Sequence, residues 1–344
     1  MRARYLAVVV LAACSSSSGG PALSNATSLD CPSPGLLPFR LQSTGFQSAD
    51  NASLVEDDTR DKDESSDALG NPGGTSANVY LDLDASPGDG IASYHGRKAR
   101  TPPSDGLTAQ PLPGEYVSLW YYDGTTWDAL GRTTTDDDGY YDVAATLAPP
   151  PGTPVYAVLE ADGTCAKHFD DLLASGTQVV VADIDGTLTT DDGQLLQEIG
   201  DPTYVPQMMT DANGMLQAWA SKGYDVVYLT ARPHLYLAET RQWLEQLAFP
   251  AGPVITSATL LSADAATEAY KATWLARMVT NFGWSVVAAY GNAVTDIEAY
   301  QSVGIPNDRI FIIGPEGGQM GTVAIAGDDY TSHVADFVDV QPDQ

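Results

Sequence analysis

The strongest constraint on the fold lies in the second half of the chain, where short apolar segments alternate with segments of helical period. Near-continuous apolar strands separated by helices are typical of a parallel sheet that is covered on both faces. We therefore expect an α/β fold with a doubly wound parallel sheet, whose ligands bind at the carboxyl ends of the strands. The predicted strands are 179–182, 225–229, 285–290 and 309–313, and the predicted helices are 212–222, 235–247, 265–282 and 294–303.

The first predicted strand runs directly into two carboxylates. Residues 179–193 read VVVADIDGTLTTDDG, so Asp183 and Asp185 follow the apolar run with one isoleucine between them. A buried carboxylate is costly, but at the rim of the sheet both side chains would face the crevice. Two close carboxylates repel each other, and a divalent cation relieves that repulsion. Gly186 leaves room for a ligand to approach the backbone, and its amide can contact an anion.

Three further segments carry polar side chains suited to phosphate chemistry. Thr230 ends the second strand in DVVYLTARP, where its hydroxyl can bond a phosphoryl oxygen. Lys271 lies on a predicted helix in EAYKATWL; alone it would be an ordinary solvated lysine, but beside the carboxylates its charge would neutralise a phosphate. Asn292 and Asp296 follow a strand in SVVAAYGNAVTD and offer the oxygen atoms that magnesium prefers. Together these residues predict a site for metal-assisted phosphoryl transfer.

These four segments resemble the four motifs of the haloacid dehalogenase-like phosphatases. The similarity is closer to the catalytic domain of lipin-type magnesium-dependent phosphatidate phosphatases and to the related C-terminal domain of membrane-associated phosphatidylinositol transfer proteins. It covers about residues 176–339 and is carried by DIDGTLT, YLTARP and AYGNAVTDIEAYQSVGIPNDRIFIIGPEG. The intervals between the motifs leave no room for a separate cap domain, so we expect a capless enzyme with an open crevice.

The resemblance implies a role for each site residue. Asp183 would attack phosphorus and form an aspartyl-phosphate, while Asp185 would protonate the leaving group and then accept a proton from water. Arg232 would be structural or would support the site residues without being catalytic. Magnesium, the implied cofactor, would be held by the Asp183 carboxylate, the Asp185 main-chain carbonyl, Asp296 and Asn292. The groups that would hold the phosphoryl group are the Gly186 and Ala231 amides, Thr230 and Lys271.

Two alternatives to a phosphatidate phosphatase remain open. The same chemistry can serve another phosphoester, on a protein, a nucleic-acid end or a small molecule. A non-catalytic, lipid-binding surface lipoprotein is the other, because the transfer-protein relatives lack the first aspartate and are regarded as binding modules. This chain keeps both Asp183 and Asp185, which favours catalysis.

The first half of the chain predicts export and a second folded unit. Residues 1–14 read MRARYLAVVVLAAC, a signal peptide ending in a lipobox-like Cys14 that would anchor the protein to a membrane as an exported bacterial lipoprotein. Residues 15–74 form a predicted disordered acidic linker rich in serine, proline and glycine. Residues 75–172 predict a small β-sandwich resembling transthyretin-like domains, with Val117, Leu119 and Tyr121 on one face. The phosphatase-like domain would occupy residues 173–344.

The net charge and the cysteines limit which partners and covalent links the chain can have. The net charge of −29 argues against nucleic-acid binding, which requires basic patches. The resemblance implies a phospholipid or another phosphomonoester as the substrate, and the sequence does not indicate an oligomeric state. Cys31 and Cys165 can pair in an exported protein or remain free thiols.

Overall fold

The computed structural model describes residues 173–344 except 202–203, 234–235 and 258–263, and between 40 and 172 it describes mainly strands and a few turn residues. The predicted signal peptide with Cys14, nearly all of the predicted linker, and Cys31 lie outside the described residues. Cys165 is described only as backbone within a strand, so the disulfide stays a prediction. The domain boundaries likewise stay predictions.

Two antiparallel sheets precede the predicted phosphatase-like domain, besides the short pair β1–β2. One contains four strands in the order β11-β10-β7-β8; the other runs β12-β4-β5-β3, with β6 and β9 also paired to β5, and only β12 pairs in parallel. The strands are β1 Arg40–Leu41, β2 Gly45–Phe46, β3 Thr75–Tyr80, β4 Ala85–Ser86, β5 Ala92–Thr101, β6 Gln110–Pro111, β7 Tyr116–Tyr122, β8 Trp127–Thr134, β9 Tyr140–Ala145, β10 Val155–Leu159, β11 Cys165–Lys167 and β12 Leu173–Ala174.

These two sheets share one hydrophobic core, as expected for a sandwich. Val117 and Leu119 of β7 are fully buried against residues of the other sheet such as Tyr94 and Val143. Tyr121 packs on the same cluster, so the predicted inward face of β7 is confirmed.

The rest of the chain builds a six-stranded sheet in which every neighbouring pair is parallel. Its order is β15-β14-β13-β16-β17-β18, so the chain adds strands to one side of β13 and then to the other. The predicted α/β fold is therefore confirmed, and the strand order reverses beside β13. The strands are β13 Gln178–Ala182, β14 Asp225–Pro233, β15 Val254–Ser257, β16 Ser285–Gly291, β17 Ile310–Ile313 and β18 Val323–Ile325.

Helices cover both faces of this sheet. Val180 and Ala182 of β13 belong to one apolar core, and the alternate residues Val179 and Val181 belong to another, because successive side chains of a strand point to opposite faces. The helices are α1 Gln194–Gly200, α2 Ala212–Ser221, α3 Leu237–Gln246, α4 Asp264–Ala276, α5 Val294–Ser302 and α6 Thr331–His333. Short 3-10 segments occupy Asn307–Arg309 and Gln319–Gly321, and π-helical segments occupy Arg277–Asn281 and Val334–Val338.

The connections contain no cap domain within the described residues. In the described parts of these connections, α1 and α2 lie between β13 and β14, and α3 lies between β14 and β15. No helix among the described residues is long and apolar enough to cross a bilayer. Because β14, β13 and β16 are parallel neighbours, their carboxyl ends meet at one rim of the sheet, and no cap domain covers this rim among the described residues.

Candidate active site

The predicted catalytic residues follow strands that are neighbours in the sheet. Asp183 comes directly after β13, and Asn292 comes directly after β16, the strand paired to it. The Asp183 amide donates to the Tyr290 carbonyl at 3.0 Å, which extends the pairing of the two strands by one step. Asp296 lies in the first turn of α5, which begins at this rim.

A buried cluster of opposite charges forms at the ends of these two strands. The Lys271 ammonium, which belongs to α4, lies 2.7 Å from Asp183 Oδ1 and 2.5 Å from Asp296 Oδ1. All three residues are at most 4% exposed. Asp296 Oδ2 also accepts hydrogen bonds from the Asn292 and Ala293 amides at 3.0 and 3.1 Å, which fixes its orientation.

The charges of this cluster do not balance. Two carboxylates face one ammonium, so the cluster carries one excess negative charge when all three groups are ionised. Burial raises the pKa of Asp183 to about 7, against the effect of the Lys271 ammonium, and the Asp296 carboxylate adds to the rise. Burial disfavours the charge of Lys271, but the two carboxylates outweigh it and hold its pKa above the ordinary value.

Asp185 lies in a second ion cluster, away from Lys271. Its carboxylate receives two charge-assisted hydrogen bonds from Arg232, from Nη2 to Oδ1 at 2.8 Å and from Nε to Oδ2 at 2.9 Å. Arg232 Nη1 reaches Glu198 at 3.3 Å and the Thr240 hydroxyl at 3.2 Å. The Asp185 side chain is 18% exposed, whereas the Arg232 side chain is fully buried.

Thr230 and Gly186 have internal partners. The buried Thr230 hydroxyl accepts a hydrogen bond from the Arg232 amide at 3.1 Å, and the half-buried Ala231 lies between them on β14. Gly186 has a φ of +72°, and its amide donates to the Thr189 hydroxyl at 3.0 Å. A Cβ at Gly186 would collide with the Asn292 side chain, so a glycine is required where these two loops meet.

A cleft of about 450 Å³ opens beside these residues. Gly186 and Asn292 line it, whereas Asp183 is 4% exposed and lies beneath this lining. The Thr187 hydroxyl connects the buried Asp183 to the cleft residue Asn292, since it lies 3.2 Å from Asp183 Oδ2 and 3.3 Å from Asn292 Oδ1. The described lining also contains four carboxylates, those of Asp191, Asp192, Glu316 and Asp328.

The donor set at this rim is compatible with a hard divalent cation. Among the described residues, no three Asp, Glu, His or Cys side chains are arranged as a ready metal cluster. The carboxylates of Asp183 and Asp296, the Asn292 amide oxygen and the Asp185 carbonyl nevertheless offer only oxygen atoms, which magnesium prefers. The excess negative charge of the buried cluster also favours a cation, so the residues fit magnesium.

The structure thus brings Asp183, Lys271, Asn292 and Asp296 together and places Asp185 beside Arg232. The contacts of Arg232, Glu198 and Thr187 were not predicted from the motifs. For Thr187 a signal existed, since it lies four residues after Asp183 in DIDGT. No sequence feature pointed to Glu198, because its contact with Arg232 depends on how α1 packs in the fold.

Residues 180–314 match the family model described as PITM 1-3, LNS2 domain. We call this segment the LNS2-type domain, because its sequence is similar to that family. The chain is 30% identical over 213 residues to protein retinal degeneration B of Drosophila melanogaster, an alignment that covers 61% of this chain and 16% of that protein. It is 28% identical over 231 residues to membrane-associated phosphatidylinositol transfer protein 3 of Homo sapiens, covering 67% of this chain and 22% of that protein.

The chain therefore spans less than a quarter of the length of these two relatives. Among solved structures, the class C acid phosphatase of Bacillus anthracis with tungstate bound aligns with 36% of this chain and 54% of its own, at 14% identity and a TM-score of 0.27. The motifs that carried the resemblance to the C-terminal domain of membrane-associated phosphatidylinositol transfer proteins, from Asp183 to Asp296, lie within the matched range.

Proposed function

We propose that the LNS2-type domain is a magnesium-dependent phosphomonoesterase that forms a covalent phosphate ester on Asp183. The observation that carries the proposal is the buried cluster of Asp183, Lys271 and Asp296 at the rim of the sheet, beside an open cleft. One excess negative charge there suits a divalent cation. With such a cation bound the cluster would be net positive, which suits a phosphate dianion.

The reaction then proceeds in two steps. An Asp183 carboxylate oxygen attacks phosphorus, the bond from phosphorus to the ester oxygen breaks, and Asp185 in its acid form gives the departing oxygen a proton. Water next attacks the phosphorus of the aspartyl-phosphate and gives a proton to Asp185. The bond to Asp183 then breaks, which releases inorganic phosphate and restores both side chains.

Several groups of the chain would support these steps. Lys271 neutralises negative charge on Asp183 and on the transferring oxygens, since its ammonium already lies 2.7 Å from Asp183. Magnesium, held by Asp183, the Asp185 carbonyl, Asp296 and Asn292, would stabilise charge on the phosphoryl oxygens. We assign the binding of the phosphoryl group to the Gly186 and Ala231 amides and Thr230; the Gly186 amide would exchange its bond to Thr189 for the phosphate.

Phosphatidate or a similar phospholipid is the proposed substrate. The open rim and the absence of a cap among the described residues suit a phosphate that is presented at a membrane surface. A lipid anchor at Cys14 of an exported protein would hold the domain near such a surface. The names of the relatives also point to phospholipids, since they include membrane-associated phosphatidylinositol transfer proteins.

A second candidate is a non-catalytic module that binds phosphate-bearing lipids. It is favoured by the ion pairs that both predicted catalytic carboxylates make, Asp183 with Lys271 and Asp185 with Arg232. A binding module needs the cations of this site but not the free carboxylates.

Phosphate release by the purified protein separates the two candidates. We expect magnesium-dependent release from short-chain phosphatidate in mixed micelles, loss of release with a chelator, and loss in Asp183→Asn. Asp183→Asn should remain folded, because it leaves Lys271 and Asp296 as a balanced pair. Asp343→Asn, at an exposed carboxylate, is the matched control. Binding of phosphatidate without any phosphate release would favour the second candidate.

A further inference from the structure

Arg232 is a fully buried cation beside the proposed active site. It lies on β14, next to Thr230, and its guanidinium has no exposed surface. A buried guanidinium requires anionic or polar partners for its donors. Arg232 meets this requirement with groups from three other segments: Asp185 after β13, Glu198 of α1 and Thr240 of α3.

The contact between Arg232 and Asp185 fixes the plane of the carboxylate. Nε and Nη2 form two nearly parallel bonds of 2.9 and 2.8 Å to the two oxygens, the bidentate arrangement in which arginine gives most geometric control. A lysine at this position would supply the charge but only a single point of contact. The arginine is therefore suited to orienting Asp185 and not merely to neutralising it.

Glu198 and Thr240 in turn hold the guanidinium from its other side. Arg232 Nη1 lies 3.3 Å from Glu198 Oε2 and 3.2 Å from the Thr240 hydroxyl. Two carboxylates thus share one cation, so that Asp185 is not its sole counter-ion. Arg232 is completely buried, whereas the side chains of Asp185 and Glu198 are 18% and 12% exposed, so Arg232 itself cannot reach a substrate and Asp185 can.

We propose that Arg232 and Glu198 are positioning residues that orient the Asp185 carboxyl group toward the leaving oxygen of the phosphomonoester. The inference rests on the proposed function, since it assigns Asp185 the proton transfer. A proton donor acts efficiently only when it is held within hydrogen-bond distance and direction of the oxygen that departs. The anchored guanidinium supplies that constraint from beneath the site.

The test compares two substrates of similar size whose leaving groups differ in basicity. Benzyl phosphate releases a strongly basic alkoxide that needs a proton, whereas 4-nitrophenyl phosphate releases a weakly basic phenolate that does not. In Arg232→Lys, kcat/KM on benzyl phosphate should fall by about 10²-fold, the usual size of a general-acid contribution, and kcat/KM on 4-nitrophenyl phosphate by less than about 3-fold. The comparison uses kcat/KM because this quantity reports the step that breaks the ester bond and excludes the hydrolysis of the aspartyl-phosphate, which is common to both substrates.

Glu198→Gln provides a second, milder variant, because glutamine keeps an acceptor for Arg232 and loses only the charge. We expect the same selective loss on benzyl phosphate at a smaller size, so the test stands even if Arg232→Lys does not fold. Arg309→Lys is the matched control: it makes the same change at a partly exposed arginine that bonds Gln341 and lies outside the site, and it should leave both rates unchanged.

Equal losses of kcat/KM on the two substrates in Arg232→Lys and Glu198→Gln would overturn the positioning role, since a purely structural defect does not distinguish leaving groups. A wild-type protein that hydrolyses neither substrate nor phosphatidate would instead overturn the proposed function itself. The two failures are therefore distinguishable.

Discussion

Lys271 determines the charge balance of the candidate site at the scale of single residues. Its sequence context, on a helix far from the carboxylates in the chain, would fit an ordinary surface lysine. The fold instead buries it to 3% exposure between Asp183 and Asp296. Removing one partner of such a buried group leaves uncompensated charge, which costs far more than the net contribution of an exposed ion pair.

Lys271→Met is therefore expected to destabilise the protein strongly without magnesium. The two carboxylates would face each other with no cation, and we expect the free energy of unfolding to fall by about 3–5 kcal/mol. Magnesium should restore part of this loss in Lys271→Met, because the cation then provides the only compensating charge. Urea unfolding with and without magnesium measures both effects.

Lys222→Met serves as the control for that experiment, since Lys222 pairs with the exposed Asp343 at 3.6 Å and donates to the Gln341 carbonyl at 3.1 Å. Loss of one exposed ion pair and one hydrogen bond should cost about 1–2 kcal/mol. A Lys271→Met protein as stable as Lys222→Met in the absence of magnesium would contradict the charge account.

At the scale of secondary-structure elements, the sequence predicted those strands and helices that have a strong pattern. The apolar runs at β13, β14, β16 and β17 were identified, because strands buried on both faces need apolar residues at every position. The shorter β15, β18 and α1 were not predicted. These elements have four, three and seven residues, respectively, which is too few to show a clear hydrophobic period. Their positions depend on contacts with neighbouring elements.

The candidate site was predictable to the extent that it follows strand ends. Asp183, Asn292 and Asp296 could be placed together because parallel strands expose their carboxyl ends at one rim. The ion pair of Asp185 with Arg232 was not predicted, because no spacing in the sequence reveals which way a long side chain turns. The expected supporting role of Arg232 thus takes the specific form of an ion pair with Asp185.

The C-terminal helical segment contains a group that makes stability depend on pH. His333 of α6 packs on Phe311 and Phe337, and its Nε2 lies 2.9 Å from the Tyr290 hydroxyl. Burial lowers the pKa of His333 from 6.5 to about 4, although the Asp336 carboxylate opposes the shift. The unfolded chain therefore binds a proton at a higher pH than the folded protein does.

From this linkage we expect the stability supplied by neutral His333 to be complete above about pH 6.5 and to be lost as pH falls toward 4. His333→Asn should remove this component, so that the difference between wild-type and variant stability shrinks on acidification. Urea midpoints measured through this range provide the check. A difference that stays constant across the range would show that His333 does not titrate as its environment implies.

At the scale of the whole molecule, the dominant property is a net charge of −29. Four carboxylates also lie among the described residues that line the cleft. A phosphomonoester is itself an anion, so encounter with the site is opposed by like charge at long range. A lipid anchor at Cys14 would offset this by raising the local concentration of a membrane substrate.

Added salt should therefore accelerate the reaction when encounter limits it. At about 0.15 M ionic strength the screening length is about 8 Å, short enough to weaken the repulsion between the protein surface and an anionic vesicle. We expect kcat/KM on phosphatidate in anionic vesicles to rise with sodium chloride, and to rise less in zwitterionic vesicles at the same phosphatidate content. A fall in both would indicate that attraction, not repulsion, governs the encounter.

The most direct measurement is detection of phosphate on Asp183 itself. The magnesium-loaded protein would be mixed with phosphatidate carrying a radiolabelled phosphate, quenched in acid and digested. We expect label on the peptide that contains Asp183, and neither label nor released phosphate in Asp183→Asn. Continued release of phosphate by Asp183→Asn at the wild-type rate would show that Asp183 is not the nucleophile.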